Sequence, residues 1–206
     1  VPVAAPSGNT SGRPSPTCAA HMLEDMDGKI DGILDGGPCT VGVESTIVDL
    51  TLRPPRLLRP GGVSLEQLEQ VLGPVAVDPA VSRRMADGEH PRAPGMKYRH
   101  YAPRAPVTVV RGDPAATAEY SRRCAGAGDG VICFHEFAQN YSGGAVRDLG
   151  PAGDKAEQAR RGFAALRSFD AVSVPQIWAQ CPDEEELGLA VCNRLNKAAG
   201  FCVVEL

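Results

Sequence analysis

The chain has 206 residues, a formal net charge of −4 and 43% hydrophobic residues, which fits one large or two small globular domains. No apolar run of about 18 residues occurs, so the sequence predicts no transmembrane helix and no membrane partner. The negative net charge excludes bulk attraction to nucleic acid, so anion binding must be local. Seven cysteines without a Cys-x-x-Cys pair predict small hydrophobic residues in a reducing, cytoplasmic compartment, and no side-chain metal site.

The first segment combines an apolar start with a loop of short polar residues. Val1–Ala5 predicts a short buried strand, and because the chain opens on Val without a turn we expect residues to be missing upstream. The loop that follows, Pro6–Thr17, reads PSGNTSGRPSPT, and Ser15-Pro16 predicts an N-cap and first turn of a helix to about Met26. A strand, a glycine-rich loop and a helix N-terminus together bind phosphate. An ordinary polar loop before a capped helix remains the alternative.

Polar residues interrupt the next apolar stretch. Lys29–Leu34 predicts a strand that ends at the turn Asp35-Gly36-Gly37. Val41–Leu50 predicts another strand, but Glu44-Ser45-Thr46 breaks its apolar pattern. Buried polar groups need partners, so these three residues face either a ligand cleft or solvent on a half-exposed strand.

An arginine stands at the exit of the following strand. Leu57-Leu58 predicts the strand, and Arg59 follows it beside the turn Pro60-Gly61-Gly62. A guanidinium in that position presents a fork suited to phosphate or carboxylate. After the turn, Ser64 and Gln67 form the pattern of a capping box and predict a helix over residues 65–72.

The segment His90–Pro106, HPRAPGMKYRHYAPRAP, is rich in proline, has four basic residues and contains no acid. Proline disfavours helix at itself and at the residue before it, so we expect this segment to be extended. It is either a plain linker between domains or a linker that also closes over an anionic ligand with its cations and tyrosines.

Strands and helices alternate after residue 106, which predicts a doubly wound parallel sheet. The predicted strands are Val107–Val110, Val131–Phe134, Ala145–Leu149, Ala171–Val174 and Phe201–Val204. The predicted helices are Pro114–Gly126, Lys155–Phe169 and Glu184–Ala199, capped by Asp113, Asp154 and Asp183. In the last helix the polar residues Asn193, Arg194, Asn196 and Lys197 favour a solvated face over a binding face.

Five motifs occur together and in order: PSGNTSGRPSPT, DGG, ESTIVD, RPGG and APGMKYRHYAP. In this combination the chain resembles the threonylcarbamoyl-AMP synthase family, which has a YrdC-type domain, in its long two-domain form. The resemblance implies the C-terminal part of a YrdC-like twisted open α/β sheet domain over residues 1–89. An extended linker over residues 90–106 would join it to a small Rossmann-like parallel-sheet domain over residues 107–206.

The resemblance implies that L-threonine, bicarbonate and ATP are condensed to threonylcarbamoyl-AMP with release of pyrophosphate. Mg²⁺ would accompany the phosphates of ATP. A downstream tRNA-modifying complex would use the product for threonylcarbamoyladenosine, and RNA contact is a further expectation.

The resemblance also assigns site residues. Those expected to contact ATP are Ser7, Asn9, Ser15 and Arg59, together with the linker residues Tyr98, Arg99, His100 and Tyr101. Those expected to line the threonine pocket are Ala5 and Ser45. No catalytic side chain is assigned. Glu44 and Asp49 either orient Ser45, join a magnesium shell or are structural.

The sequence departs from the family in one large respect. No stretch matches the family's upstream threonine-recognition segment or its basic Lys-x-Arg element. We therefore expect the 206-residue chain by itself to lack synthase activity. One alternative is a non-catalytic nucleotide- or RNA-binding module of the same fold. Another is a carbamoyl-transfer maturation factor with a related domain, against which the linker and the C-terminal domain count.

Overall fold

The computed structural model describes residues 1–2, 4, 8, 10, 12–86, 88, 90–93, 100–141 and 144–206. Within these residues the chain forms a three-stranded sheet, a five-stranded sheet and five α-helices. The same residues include no helix that is both long and apolar enough to cross a bilayer.

The smaller sheet lies in the first half of the chain. Its strands are β1 (Ile47–Asp49), β2 (Arg56–Arg59) and β3 (Ala76–Val77), and β2 pairs antiparallel with β1 and parallel with β3. Side chains alternate between the two faces of a strand, and in β2 both faces are covered. Leu57 packs with Val75, Val81 and Leu189, whereas Leu58 packs against Ala80 on the other side.

Two helices lie in the same half of the chain, α1 (Ala19–Met26) and α2 (Leu65–Leu72), and α2 packs against the smaller sheet through Leu65 and Leu68. The predicted capping box of α2 is confirmed, because Ser64 Oγ accepts from the Gln67 N–H at 3.3 Å and Gln67 Oε1 accepts from the Ser64 N–H at 2.9 Å. Such a box satisfies two N–H groups that the first helical turn leaves without partners.

The larger sheet is entirely parallel. Its strands are β4 (Val107–Arg111), β5 (Gly130–Cys133), β6 (Ala145–Asp148), β7 (Ile177–Gln180) and β8 (Val203–Glu205). They are ordered β6-β5-β7-β4-β8, and the inner strands are buried on both faces, as parallel sheets require. The expected mixed α/β fold with a Rossmann-like parallel sheet is confirmed.

Helices α3 (Pro114–Cys124), α4 (Lys155–Ser168) and α5 (Gly188–Ala198) accompany the larger sheet. Two predicted caps are confirmed: Asp113 accepts from the N–H groups of Ala115 and Ala116, and Asp154 accepts from that of Glu157. The main core is built from β4, β5, β7, α4 and α5 and includes Phe134, Phe163, Phe169, Ile177 and Leu195.

Three predictions for the first half are wrong. Val1, Pro2 and Ala4 are exposed and outside any strand, and Lys29–Leu34 is an exposed segment without a strand. Only residues 47–49 of the predicted strand Val41–Leu50 pair with a neighbour. An extended segment becomes a strand only where another strand accepts its hydrogen bonds, and the described residues offer none there.

The predicted start of the first helix is also wrong. The helix begins at Ala19, after Cys18, whose side chain makes no capping hydrogen bond. Ser15 does not act as the N-cap, because its hydroxyl donates to a carboxylate from a distant segment at 2.8 Å.

Two predictions for the second half are wrong. The strand expected at Ala171–Val174 lies instead at Ile177–Gln180, after a 3₁₀ turn at Phe169–Ala171. The last helix begins at Gly188 and not at Glu184. Asp183 caps only a local turn, accepting from the Glu185 N–H at 3.0 Å, and Glu186 then adopts a φ of +49° that ends that turn.

Candidate functional site

The site begins with a hydrogen bond between two loops. Ser15, in the loop before α1, donates through its hydroxyl to Glu44 Oε1 at 2.8 Å. The other oxygen of Glu44 accepts from Arg194 Nε at 2.6 Å. Burial raises the pKa of Glu44, but the Arg194 guanidinium and the Ser15 hydroxyl outweigh it and hold that pKa below its ordinary value. Glu44 is therefore a carboxylate at neutral pH, with a partner on each oxygen.

Arg59 and Ser45 meet beside this carboxylate. Arg59, at the end of β2, donates from Nε to the Ser45 carbonyl and from Nη2 to the Ser45 hydroxyl, each at 3.0 Å. The two segments lie this close because Gly61 has no side chain. A Cβ at Gly61 would lie 2.2 Å from the Glu44 carbonyl oxygen and 2.5 Å from the Thr46 nitrogen.

The turn after β2 is fastened to the segment that carries Glu44. The Gly62 N–H donates to the Glu44 carbonyl at 3.2 Å. Thr46 Oγ1 donates to the Val63 carbonyl and accepts from the Val63 N–H. These backbone contacts hold Glu44, Ser45 and Arg59 in one fixed arrangement.

Helix α5 forms a wall of the site, which corrects the prediction of a solvated face. Its polar residues Asn193, Arg194, Asn196 and Lys197 are only 2–3% exposed. Asn193 donates from its amide to the Val81 carbonyl at 2.7 Å, and Arg194 donates from Nη2 to the Pro60 carbonyl at 2.9 Å. The apolar face of α5 packs on the larger sheet while this polar face packs on the first half of the chain.

The end of the linker lies at the same place. The Tyr101 ring is buried between Phe163, at 5.1 Å between centroids, and the Arg194 guanidinium, at 5.4 Å from the ring centroid. Burial raises the pKa of Tyr101 above its ordinary value. The next residue, Ala102, donates its N–H to the Gly12 carbonyl at 3.2 Å. The linker therefore returns to the loop that carries Ser15.

A second set of ion pairs holds the loop that carries Ser15. Arg167 of α4 donates from Nη1 to the Pro14 carbonyl at 2.7 Å and forms a two-point contact with Asp25 of α1. Arg13 contacts Asp25 and also Asp170 at 3.0 Å. Helices α4 and α5 thus both contact the first half of the chain, α4 at Pro14 next to Ser15 and α5 at Glu44.

The structure brings together four of the residues expected in the site: Ser15, Ser45, Arg59 and Tyr101. His100 adjoins Tyr101 with ring centroids 5.7 Å apart. The others lie outside the described residues: Ala5, Ser7, Asn9, Tyr98 and Arg99.

The sequence reasoning missed Arg194 and left Glu44 undecided. One available feature was the composition of α5, whose polar residues comprise two cations and two amides and no acid. Solvated helix faces commonly carry both signs of charge in i,i+4 pairs. A polar helix face whose only charged residues are cations therefore indicates a partner elsewhere in the chain.

Lys197 gives the site an unusual pH dependence. Burial, together with the nearby cations Arg194 and Arg59, lowers its pKa to about 8, against 10.5 ordinarily, while Glu44 opposes the shift. The unfolded chain binds this proton more tightly, so the charged form of Lys197 lowers the stability of the fold. This destabilising effect is at its maximum below pH 8. Stability should rise as the pH increases from about 8 to 10.5, by on the order of 3 kcal/mol.

Urea unfolding of the wild type and of Lys197→Met at several pH values under reducing conditions tests this expectation. The wild type should gain stability relative to the variant between pH 8 and 10.5. Parallel stability curves for the two proteins would contradict it. The variant serves as the reference because tyrosines and cysteines titrate equally in both.

Within the described ranges, no group of three His, Cys, Asp or Glu residues is arranged to hold a metal ion. Asp49 is half-buried and accepts from the Thr51 hydroxyl and N–H, and that contact lowers its pKa. Neither Asp49 nor the doubly engaged Glu44 is placed as a ready metal ligand.

Comparison with protein families matches residues 1–61 and 63–200 of the chain to two adjoining models. Residues 63–200 match the family described as threonylcarbamoyl-AMP synthase, C-terminal domain. Residues 1–61 match the family described as telomere recombination, whose model covers Sua5, YciO and YrdC proteins. The junction of the two matches falls at the turn that follows Arg59.

Curated relatives carry one name. Threonylcarbamoyl-AMP synthase of Pyrococcus abyssi is 44% identical over 100% of this chain and 60% of its own length. The Bacillus subtilis enzyme is 44% identical over 99% of this chain and 59% of its own length. The Schizosaccharomyces pombe enzyme is 39% identical over 96% of this chain and 52% of its own length. The chain therefore spans between 52% and 60% of the length of these relatives.

A solved structure shares the fold. The crystal structure of P. abyssi Sua5 complexed with L-threonine aligns with 98% of this chain, and the alignment covers 58% of the Sua5 chain. The TM-score is 0.81 and the sequence identity is 43%. The sequence, the family match and the arrangement of both sheets agree, and the chain belongs to the threonylcarbamoyl-AMP synthase family.

Proposed function

We propose that the chain carries part of the site at which a threonylcarbamoyl-AMP synthase joins L-threonine, bicarbonate and ATP and releases pyrophosphate. The residues proposed for ATP are Ser7, Asn9, Ser15, Arg59, Tyr98, Arg99, His100 and Tyr101. The residues proposed for threonine are Ala5 and Ser45. The names of the curated relatives support the activity, and the solved complex supports a threonine pocket in this fold.

The contact between Arg59 and Ser45 carries the proposal. It places a residue proposed for phosphate 3.0 Å from a residue proposed for threonine. The reaction needs this proximity, because an oxygen of the threonine carbamate must bond to the α-phosphorus of ATP while the bond to pyrophosphate breaks. Two substrates held by adjoining residues would meet without further rearrangement.

Arg59 would act as an electrostatic stabiliser. A guanidinium has five N–H donors, and the contacts with Ser45 use two of them. The others would face the phosphates and neutralise the charge that develops on the leaving pyrophosphate. Mg²⁺ would enter on the phosphate oxygens of ATP and add to this neutralisation, since we assign it no protein carboxylate.

A binding experiment with two forms of the protein tests the proposal. The 206-residue chain and the product of the whole open reading frame that encodes it are titrated with ATP–Mg²⁺ and with L-threonine by calorimetry. Pyrophosphate release is then measured with and without each substrate. We expect release from the whole product to require ATP, L-threonine and bicarbonate together, and the 206-residue chain alone to show binding without turnover.

Arg59→Met should weaken ATP binding about ten- to hundredfold, the usual loss of hydrogen bonds to a charged partner. Arg123→Met is the matched control, because it removes the same charge from the exposed end of α3. Equal ATP affinities in the two variants, or pyrophosphate release that does not depend on L-threonine, would refute the proposal.

Further parts of the proposal are carried over from the family. They are use of the product by a tRNA-modifying complex, contact with RNA, a cytoplasmic location, and the division into residues 1–89, 90–106 and 107–206. The separate three- and five-stranded sheets support that division. A non-catalytic nucleotide- or RNA-binding module is not favoured, because the curated relatives are named as synthases.

A further inference from the structure

Four segments of the chain meet at the guanidinium of Arg194. It donates from Nε to Glu44, from Nη1 to the Asn193 side chain and from Nη2 to the Pro60 carbonyl, and the Tyr101 ring covers one face. Its side chain is 4% exposed. A planar fork held in this way has one orientation, so it imposes one orientation on the Glu44 carboxylate.

The charge of Glu44 decides what Ser15 offers to a ligand. An ionised carboxylate only accepts hydrogen bonds, so the 2.8 Å contact must use the proton of the Ser15 hydroxyl. A serine hydroxyl has one donor and two acceptor lone pairs. With its proton committed to Glu44, Ser15 presents only lone pairs elsewhere, and the side chain is half-buried at the site.

Phosphate oxygens are themselves acceptors near neutral pH, so a Ser15 held in this way has nothing to donate to them. ATP has hydrogen-bond donors only on its nucleoside part, at the ribose hydroxyls and the adenine amino group. The contact made by Ser15 should therefore differ in kind from the contact made by Arg59.

We propose that Arg194, acting through Glu44, is a positioning residue that presents the Ser15 hydroxyl as an acceptor to a donor group on the nucleoside part of ATP. This inference rests on the proposed function. It gives helix α5 of the larger sheet a direct part in nucleotide selection, alongside its packing role.

Comparison of ATP with inorganic triphosphate tests the inference, because triphosphate lacks the nucleoside. Dissociation constants are measured by calorimetry with Mg²⁺ at pH 7 for the wild type and for Ser15→Ala, Arg194→Met and Arg59→Met. We expect Ser15→Ala and Arg194→Met each to weaken ATP about three- to tenfold and to leave triphosphate unchanged. Arg59→Met should weaken both ligands.

A double variant and analogues sharpen the result. Ser15→Ala combined with Arg194→Met should bind ATP no more weakly than the poorer single variant, since both act on one contact. Among 2′-deoxy-ATP, 3′-deoxy-ATP and inosine triphosphate, the analogue that lacks the recognised donor should show no loss from Ser15→Ala. Arg194→Lys keeps the cation without the planar fork and should bind ATP more tightly than Arg194→Met does. This variant also keeps the inference testable if Arg194→Met fails to fold.

Arg111→Met is the control for a structural effect, because it breaks ion pairs with Glu184 and Glu205 without touching Glu44. It should lower the melting temperature and leave the preference for ATP over triphosphate intact. Weaker triphosphate binding by Ser15→Ala overturns the inference, and so does additive loss in the double variant. Wild-type protein that binds neither ATP nor triphosphate would instead refute the proposed function, and the inference with it.

Discussion

Replacing Arg167 by Met should lower the free energy of unfolding by about 3 to 5 kcal/mol, the usual result of breaking a buried ion pair from one side. Arg167 and Asp25 have side chains that are 2% and 0% exposed and touch through two hydrogen bonds of 2.8 and 3.0 Å. Without the guanidinium, the Asp25 carboxylate stays buried. Arg13, at 2.9 Å, remains as a partner, which favours the lower end of this range.

Urea unfolding at pH 7 measures this loss. Arg160→Met is a matched control on the same helix, because the Arg160 side chain is 53% exposed and its partner Glu157 keeps a second ion pair with Arg161. Loss of such an exposed arginine should cost below about 1 kcal/mol. Similar losses in the two variants would contradict the assignment of a buried pair.

The same pair predicts acid sensitivity. The hydrogen bonds from Arg167 hold the pKa of Asp25 below its ordinary value of 3.8. A carboxylate with a lowered folded-state pKa stabilises the fold above its unfolded pKa, and this stabilisation is lost as the pH falls through the folded value. The wild type should therefore lose stability below about pH 4, and Arg167→Met should lose less over that interval.

Replacing Phe169 by Ala should cost about 3 to 5 kcal/mol, as expected for removing a fully buried aromatic ring. Phe169 is 2% exposed and belongs to the core beneath the larger sheet. Its ring occupies space left by Gly130 of β5, since a Cβ at Gly130 would lie 2.3 Å from Phe169 Cε1. The Arg147 guanidinium lies over the ring, 5.1 Å from its centroid.

The two positions should be strongly coupled. Gly130→Ala alone should cost about 1 to 3 kcal/mol by overpacking. In the Phe169→Ala background the added methyl group occupies vacated space, so the double variant should be more stable than the sum of the single losses predicts. Thermal and urea unfolding of all four proteins give the coupling energy. Val172→Ala, at a position 39% exposed, serves as the surface control. Additive losses would show that the ring and the glycine do not share this space.

Local features of the chain were predictable because their partners are close in sequence. The capping box of Ser64 and Gln67 joins residues three apart, and the caps Asp113 and Asp154 each bind N–H groups two or three residues on. Alternating strands and helices after residue 106 specified a parallel sheet for a different reason, because a helix that connects two strands brings the second strand back parallel to the first. Arg59 and Ser45, which were both expected at the site, do lie together, whereas the phosphate-binding role of Arg59 stays a prediction.

The errors have three physical causes: a partner distant in sequence, the lack of a neighbouring strand, and a local turn of the backbone. Ser15 has the local pattern of an N-cap, but Glu44 is 29 residues away and takes its hydroxyl proton. The segment Lys29–Leu34 has the apolar content of a strand, but the described chain gives it no neighbour to pair with. Asp183 has the pattern of a helix cap, but the chain first turns through Glu186 at positive φ.

The sequence by itself determined most helix caps, because their residues interact within a few positions of one another. It also determined the family motifs and the parallel sheet, the latter through the alternation of strands and helices although the strands themselves pair over long distances in the chain. Only the tertiary structure decided that the polar face of α5 is buried. Arg194 reaches Glu44 across 150 positions of the chain, and the polar pattern of α5 does not specify which distant group is the partner of Arg194.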